Sequence, residues 1–151
     1  MPLFTGPVQL SLEHAEMAAR VHRVSFDARL PWLAGLHTPQ EDASFFREHV
    51  FRDCSVWGMF AGDELAGMIA FQEGWIDQLY VLPAYQGAGI GRKLLGVARS
   101  RFDDLQLWTF QKNAEARRFY ERHGFSAVEF TDGSGNAEGE PDVRYRWTAH
   151  G

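Results

Sequence analysis

The stretch Tyr80-Val-Leu-Pro-Ala-Tyr-Gln-Gly-Ala-Gly-Ile-Gly-Arg-Lys-Leu-Leu95 decides the fold. An apolar strand ending in Tyr80 and Val81 runs into Gly87, Gly89 and Gly91, and these run into an amphipathic helix. Glycine lets the backbone turn sharply and lets a ligand approach the amides closely. The first amides of a helix have no partner inside it and carry partial positive charge, so this strand–loop–helix shape is a seat for an anion. Arg92 and Lys93 stand in the first turn, where the helix end already disfavours cations. Their placement has an electrostatic logic only if they help to hold that anion. A dinucleotide fingerprint needs G-x-G-x-x-G near the first strand of its fold. Here the glycines fall as G-x-G-x-G, position 92 is arginine, and the loop lies past mid-chain. No G-x-x-x-x-G-K-[ST] string occurs either. The pattern that is matched is Q-x-x-G-x-G, through Gln86, Gly89 and Gly91.

Downstream, Leu105 to Phe110 reads as a strand, and Asn113 caps a helix that ends at His123-Gly124, with Gly124 as left-handed terminator. Strands over Phe125–Thr131 and Val143–Thr148 enclose the polar, acidic loop Asp132–Asp142. Upstream, Trp75–Leu82 is the strand that feeds the glycines. Ser55–Phe60 and Leu65–Phe71 form a hairpin around Ala61-Gly-Asp-Glu64. Val8–Leu10 is a short first strand, and Ser11 caps a helix with Leu12, Ala15, Ala18, Ala19, Val21, His22 and Phe26 on one face. Pro31-Trp32-Leu33 breaks it. Thr38-Pro39-Gln40-Glu41 is a capping box that opens a helix to about Arg52, with Phe45, Phe46, His49 and Val50 inward. The order β-α-α-β-β-β-α-β-α-β-β is a mixed α/β (α+β) pattern, with antiparallel hairpins early and strand–helix alternation late.

The glycine loop resembles the pyrophosphate loop of the GNAT superfamily of coenzyme A-dependent N-acetyltransferases. The segment Asn113-Ala-Glu-Ala-Arg-Arg-Phe119-Tyr120, closed by Gly124-Phe125, is similar to the family's second hallmark, N-x-x-A-x-x-F-Y. The motifs stand in the family's order and strand–helix context, and the topology read above matches throughout. The resemblance implies a GNAT fold: a mixed central sheet of about seven strands flanked by about four helices, in one N-acetyltransferase domain over residues 1–151. It implies acetyl-CoA as cofactor. The loop amides from Gly87 through Ala88, Gly89, Ile90 and Gly91 to Arg92, beside Gln86, would hold the pyrophosphate. The strand before the loop would splay from its neighbour, so that Leu79, Tyr80 and Val81 pair with the pantetheine arm as an added strand would. Asn113 would contact the pantetheine or the loop, besides capping its helix. Tyr120 matches the general acid that protonates the departing thiolate, its alternative role being core packing.

Acetyl transfer from a thioester to an amine needs a neutral amine, a polarised carbonyl and a leaving thiolate. An ammonium at pH 7 needs a base, directly or through water. Asp77 is the first candidate, because residues 77, 79 and 81 of a strand share one face. The family places a Glu or a bound water in this region. The shorter Asp favours a water relay, and a hydrogen-bonded structural carboxylate is the alternative. His22, His37 and Glu41 are weaker candidates, better read as surface or capping residues. The amide of Leu79 is the expected oxyanion donor. The acceptor groove is expected between Phe26–His37 and the acidic loop, with Trp32, His37, Asp77, Glu140 and Asp142 as acceptor-binding residues. Trp32, Trp75 and Trp108 are candidates to line an apolar or cation-binding pocket, with core packing the alternative and the stronger reading for Trp108.

Composition sets the outer bounds. At roughly 100–200 residues per domain, 151 residues make one domain. With 45% apolar and 14% aromatic residues it is a packed globule rather than a disordered chain. Fifteen basic against 20 acidic residues give a net charge of −5, which argues against nonspecific binding to nucleic acid or an anionic membrane. No apolar run approaches a membrane span, and MPLFTGPVQL lacks the regions of a signal peptide. The single Cys54 excludes an internal disulfide and a multi-cysteine zinc site and suits a reducing cytosol, so a cytoplasmic, metal-free enzyme is expected. The expected partner is a small-molecule or peptide amine, with a homodimer as a further option through the late strands. The rival reading is a coenzyme A-binding regulatory domain without turnover. A nucleotide-binding domain is disfavoured by the loop spacing.

Overall fold

In the computed structural model, which describes residues 3–151, seven strands form one mixed sheet. They are β1 (Phe4–Gln9), β2 (Ser55–Ala61), β3 (Glu64–Gln72), β4 (Trp75–Val81), β5 (Asp104–Phe110), β6 (Ser126–Phe130) and β7 (Asp142–Thr148). The spatial order is β1-β2-β3-β4-β5-β7-β6, and only the β4–β5 pair is parallel. The helices are α1 (Ala15–Arg29), α2 (Pro39–Phe45), α3 (Ile90–Arg101) and α4 (Ala114–Arg122). Beyond Phe45, α2 runs on through a π-helical turn, Phe46–Val50, and a last turn, Phe51–Asp53.

The near-continuous apolar run of β3 follows from its central place, which buries both of its faces. Met68 and Ala70 pack with α1 and α2, and Ile69 and Phe71 pack with α3 and α4. On α3 the buried side chains Ile90, Leu94 and Leu95 each contribute about 1.5–3 kcal/mol of burial free energy.

Three expectations are corrected. β1 starts at Phe4 rather than Val8, and Leu10 lies beyond its end, buried in the core. β1 is an edge strand with a register shift between Thr5 and Val8, so its alternation is broken. Leu12 is 58% exposed, because a separate 3-10 turn, Leu12–His14, precedes α1 and rotates it off the helix face. In α2 and its π-helical continuation, Phe46 and Val50 are buried but Phe45 and His49 are exposed, their rings tilted against each other with centroids 5.3 Å apart. Rows 45/49 and 46/50 lie about 100° apart on a helix, so only one can face the sheet.

The capping box at Thr38 forms as read: the Glu41 amide donates to Thr38 Oγ1 at 3.1 Å, and the Thr38 amide to Glu41 Oε1 at 2.7 Å. Next to it, buried Asp42 accepts two hydrogen bonds from the Arg23 guanidinium of α1, at 2.8 and 2.9 Å. Burial pushes the Asp42 carboxyl up, but the Arg23 hydrogen bonds and charge outweigh it and hold it below the ordinary carboxylate range. Asp42→Ala therefore destabilises the protein by about 2–3 kcal/mol, below the range for a fully buried pair because Arg23 keeps Asp27. Urea midpoints at pH 7 measure it. The contribution is present above the unfolded carboxylate value and fades as pH falls through the lowered one, so the difference between variant and wild type shrinks in acid.

Candidate active site

β4 and β5 register only through Trp75 and Gln106. Beyond that pair they diverge, and the lengths 77–81 and 107–109, unpaired with each other, flank a cleft of about 540 Å³. The Leu82 amide bonds to the Ala66 carbonyl at 2.8 Å. By antiparallel alternation, the backbone of Tyr80 is then spent on β3, while the amides and carbonyls of Leu79 and Val81 point into the gap. Tyr80, Leu79 and Val81 all line the cleft, with the backbone of Tyr80 paired to β3. The Val81 carbonyl already accepts from Ser25 Oγ at 2.9 Å and from Gln86 Nε2 at 3.0 Å.

The glycine loop closes one end of the gap. Gly87 and Gly89 have φ of +84° and +85°, the left-handed region that glycine tolerates. Lys93 is the first residue of α3 with a backbone-bonded amide, to the Gly89 carbonyl at 3.1 Å. Among the described residues, no carbonyl takes the amides from Gly87 to Arg92. A Cβ at Gly91 would meet the Phe119 ring at 3.2 Å, so this glycine lets α4 approach. Arg29, Arg92, Arg118 and Arg122 line the cleft against only Asp77 and Glu115, so its sign opposes that of the chain. Of the four arginines, only Arg92 was singled out in the sequence. The others lie on helix faces whose orientation depends on packing between distant segments.

Tyr120 stands at the floor of the cleft, 7% exposed. Its ring packs on Phe119 and Phe125, with centroids 5.3 and 5.4 Å away. Burial, with a smaller effect from the Tyr80 phenol, raises its pKa well above that of a free phenol, so it holds its proton. Among the described residues its hydroxyl has no hydrogen-bond partner. Asn113 caps α4: Oδ1 accepts from the Ala116 amide at 3.2 Å and from Arg29 at 3.5 Å. Among the described residues its side-chain NH2 has no partner and can donate into the cleft.

Asp77 lines the cleft but does not share a face with Leu79 and Val81. The register shifts between Ala70/Phe71 of β3, which face Gln78 and Ile76, so Asp77 is the extra residue of a β-bulge. The bulge breaks the alternation: Leu79 and Val81 pack toward α3 and α4, Tyr80 toward α1, and Asp77 is exposed. Gln72 Nε2 and Cys54 Sγ both donate to its Oδ2, at 2.6 and 3.2 Å, and Oδ1 is free. Burial and the neighbouring Asp77 push the Cys54 thiol up to about 12, so it stays a protonated donor. Behind Tyr80, the His22 ring lies edge-on at 4.8 Å. Burial and the Arg23 charge lower its pKa to about 4, which leaves it neutral, and it does not line the cleft.

The other expected acceptor residues lie outside this cleft. His37 is exposed in the α1–α2 connection. Trp32, in the same connection, is 52% exposed and carries Lys112 Nζ 5.6 Å from its ring centroid. Asp142 fastens the β6–β7 loop, accepting from Thr131 Oγ1 and, at 3.4 Å, from Asn136. Glu140 is buried in that loop and pairs with Lys112. Trp108, read as core, is 43% exposed and lines the cleft.

No helix among the described residues is long and apolar enough to cross a membrane. The chain is 28% identical to the peptidyl-lysine N-acetyltransferase YiaC of Escherichia coli, over 56% of this chain and 67% of that protein. It is 28% identical to N-alpha-acetyltransferase 40 of Saccharomyces cerevisiae over 87% of this chain, and spans about half, 52%, of the yeast protein. The fold matches the PaiA N-acetyltransferase of Thermoplasma acidophilum, solved with coenzyme A, at TM-score 0.68 and 22% identity, over 98% of this chain and 99% of that one. Residues 52–127, from the end of α2 to β6, match the acetyltransferase (GNAT) domain model. The splayed parallel pair, the loop of free amides and this match agree, and the chain belongs to the GNAT acetyltransferase family and is an acyltransferase.

Proposed function

We propose that the protein transfers the acetyl group of acetyl-CoA to a primary amine by direct attack, with both substrates bound at once. The observation that carries this reading is the gap between β4 and β5, which the backbone of Leu79 and the Val81 amide face and which ends in six loop amides without a carbonyl partner among the described residues, flanked by arginine. The loop amides and Arg92 hold the pyrophosphate, and the pantetheine extends along Leu79 and Val81, within reach of the Asn113 NH2. The neutral amine attacks the thioester carbon. A C–N bond forms, and the carbonyl electron pair moves onto oxygen, where the Leu79 amide stabilises it. The attacking nitrogen sheds its proton through water to Asp77 Oδ1. The C–S bond then breaks, and the thiolate takes the phenolic proton of Tyr120, which is restored from solvent. The names of the E. coli and yeast relatives, lysine and α-amino acetyltransferases, support an amine as the acceptor.

Coenzyme A at a hundredfold excess over its Kd adds about 2.7 kcal/mol, which for a chain of this size raises Tm by about 5–10 °C. NAD and ATP give no comparable rise. The absence of a shift with coenzyme A overturns the loop assignment. Thiol release from acetyl-CoA with a panel of amines separates enzyme from binder: a Tm rise without amine-dependent thiol marks a coenzyme A-binding domain without turnover.

A further inference from the structure

Lys112, two residues past the end of β5, joins two loops distant in sequence. Its Nζ lies 5.6 Å from the ring centroid of Trp32, in the α1–α2 connection, and 3.4 Å from Glu140 Oε1, in the β6–β7 loop. The two sides of this contact are built differently. Glu140 is only 9% exposed, and its Oε1 is shut off from solvent without a hydrogen bond among the described residues. Asn136 fixes its backbone on both sides, donating to the Glu140 carbonyl at 2.8 Å and accepting from its amide at 3.3 Å. The Gln111 amide holds the next carbonyl, that of Pro141, at 2.9 Å. The Lys112 side chain, by contrast, is 63% exposed. A preformed carboxylate and an aromatic face thus receive a loosely held ammonium.

The ammonium half of this pair stays largely in solvent, so another cation can exchange with it. A buried carboxylate without a hydrogen bond favours any cation that can approach it closely. The position adjoins the cleft, since Lys112 precedes cleft-lining Asn113 and Trp32 follows cleft-lining Arg29 by three residues. The reacting amine cannot be the group held here. A carboxylate and a π face stabilise the ammonium form, and attack requires the neutral one.

The geometry points to Trp32 and Glu140 as the seat of a second, non-reacting cation of the acceptor, filled by Lys112 until the acceptor enters. The substrate class is therefore a diamine, with one amino group neutralised in the cleft and the other held as ammonium. This rests on the acetyl transfer proposed above.

The test sets linear α,ω-diamines of increasing length against monoamines of matched length. At one length the wild-type kcat/KM for the diamine exceeds that for the monoamine by about tenfold, mostly through KM. Glu140→Gln and Trp32→Ala bring that ratio to about two or less. Lys112→Met, which removes the competing ammonium, raises the diamine value by about threefold. A wild-type ratio near one at every length, or a ratio that neither Glu140→Gln nor Trp32→Ala lowers, overturns the seat. A second arm needs no turnover. Lysines occur only at positions 93 and 112, so reductive 13C-methylation yields two lysine signals, distinguished by Lys93→Arg. In protein saturated with coenzyme A, a diamine moves the Lys112 signal and the matched monoamine does not. If that signal moves while no amine is acetylated, acetyl transfer fails and the seat stands. If amines are acetylated while the signal stays fixed, the seat alone fails.

Discussion

Tyr120→Phe lowers kcat by about 10²–10³-fold while the Tm rise with coenzyme A stays within a degree of wild type. The size follows from the role: a positioned general acid contributes roughly 10²–10⁴-fold, and a thiolate is a good enough leaving group to keep the loss in the lower half. Selectivity for turnover follows from the surroundings. Phenylalanine keeps the ring contacts to Phe119, Phe125 and, at 6.3 Å, Tyr145. Since the hydroxyl has no protein partner among the described residues, its removal leaves no buried group unsatisfied. The variant should therefore melt within about 1 kcal/mol of wild type. Burial raises the Tyr120 pKa, so the phenol stays protonated through the ordinary titration range of tyrosine. The wild-type kcat profile accordingly shows no fall near pH 10 from loss of this proton. Wild-type turnover in the variant, or a descending limb near pH 10 that the variant removes, rules the acid role out.

The parts of the site that were legible in the sequence are those that local chemistry fixes. Gly87 and Gly89 mark the turn because only glycine takes their positive φ without strain, and Asn113 marks its helix because its side chain caps it. The bulge at Asp77 was not legible. An extra residue in β4 is defined only against β3, and the apolar residues from Trp75 to Val81 read equally well as a regular strand. The divergence of β4 from β5 is likewise a relation between strands some thirty residues apart. Phe45 and His49 were misplaced because two adjacent helix rows were both apolar enough to face the sheet. Glu140 and Asp142 read alike as loop acids. What separates them is Asn136 and Thr131, which tie Asp142 into the loop and leave the Glu140 oxygen without a hydrogen bond. Lys112 carried no signal of its own, since its partners come from loops some eighty residues upstream and twenty-eight downstream.

Gly89→Val abolishes the Tm rise with coenzyme A, weakening Kd by about a hundredfold or more. Space is not the reason, because the nearest atom to a Cβ at Gly89 is the Arg92 guanidinium end, at 3.6 Å. The reason is backbone: Gly89 sits at φ +85° and ψ 7°, where an L-residue pays about 1–2 kcal/mol and a β-branched one most. Valine relieves that strain by leaving the left-handed region, and the peptide units around it then turn. Their amides no longer converge on the anion. Hydrogen bonds to a charged group are worth about 1.5–3 kcal/mol each, so losing two costs a hundredfold or more. The apo protein loses only the strain, a Tm drop of about 2–8 °C. Gly96→Ala is the control on the same helix: the site is exposed, a Cβ there meets nothing within 4 Å, and alanine stabilises the helix by about 0.5–1 kcal/mol. That variant melts higher and keeps its response to coenzyme A. If Gly89→Val also kept it, the convergent amides would not be what binds the pyrophosphate, and the arginines lining the cleft would have to carry the anion alone.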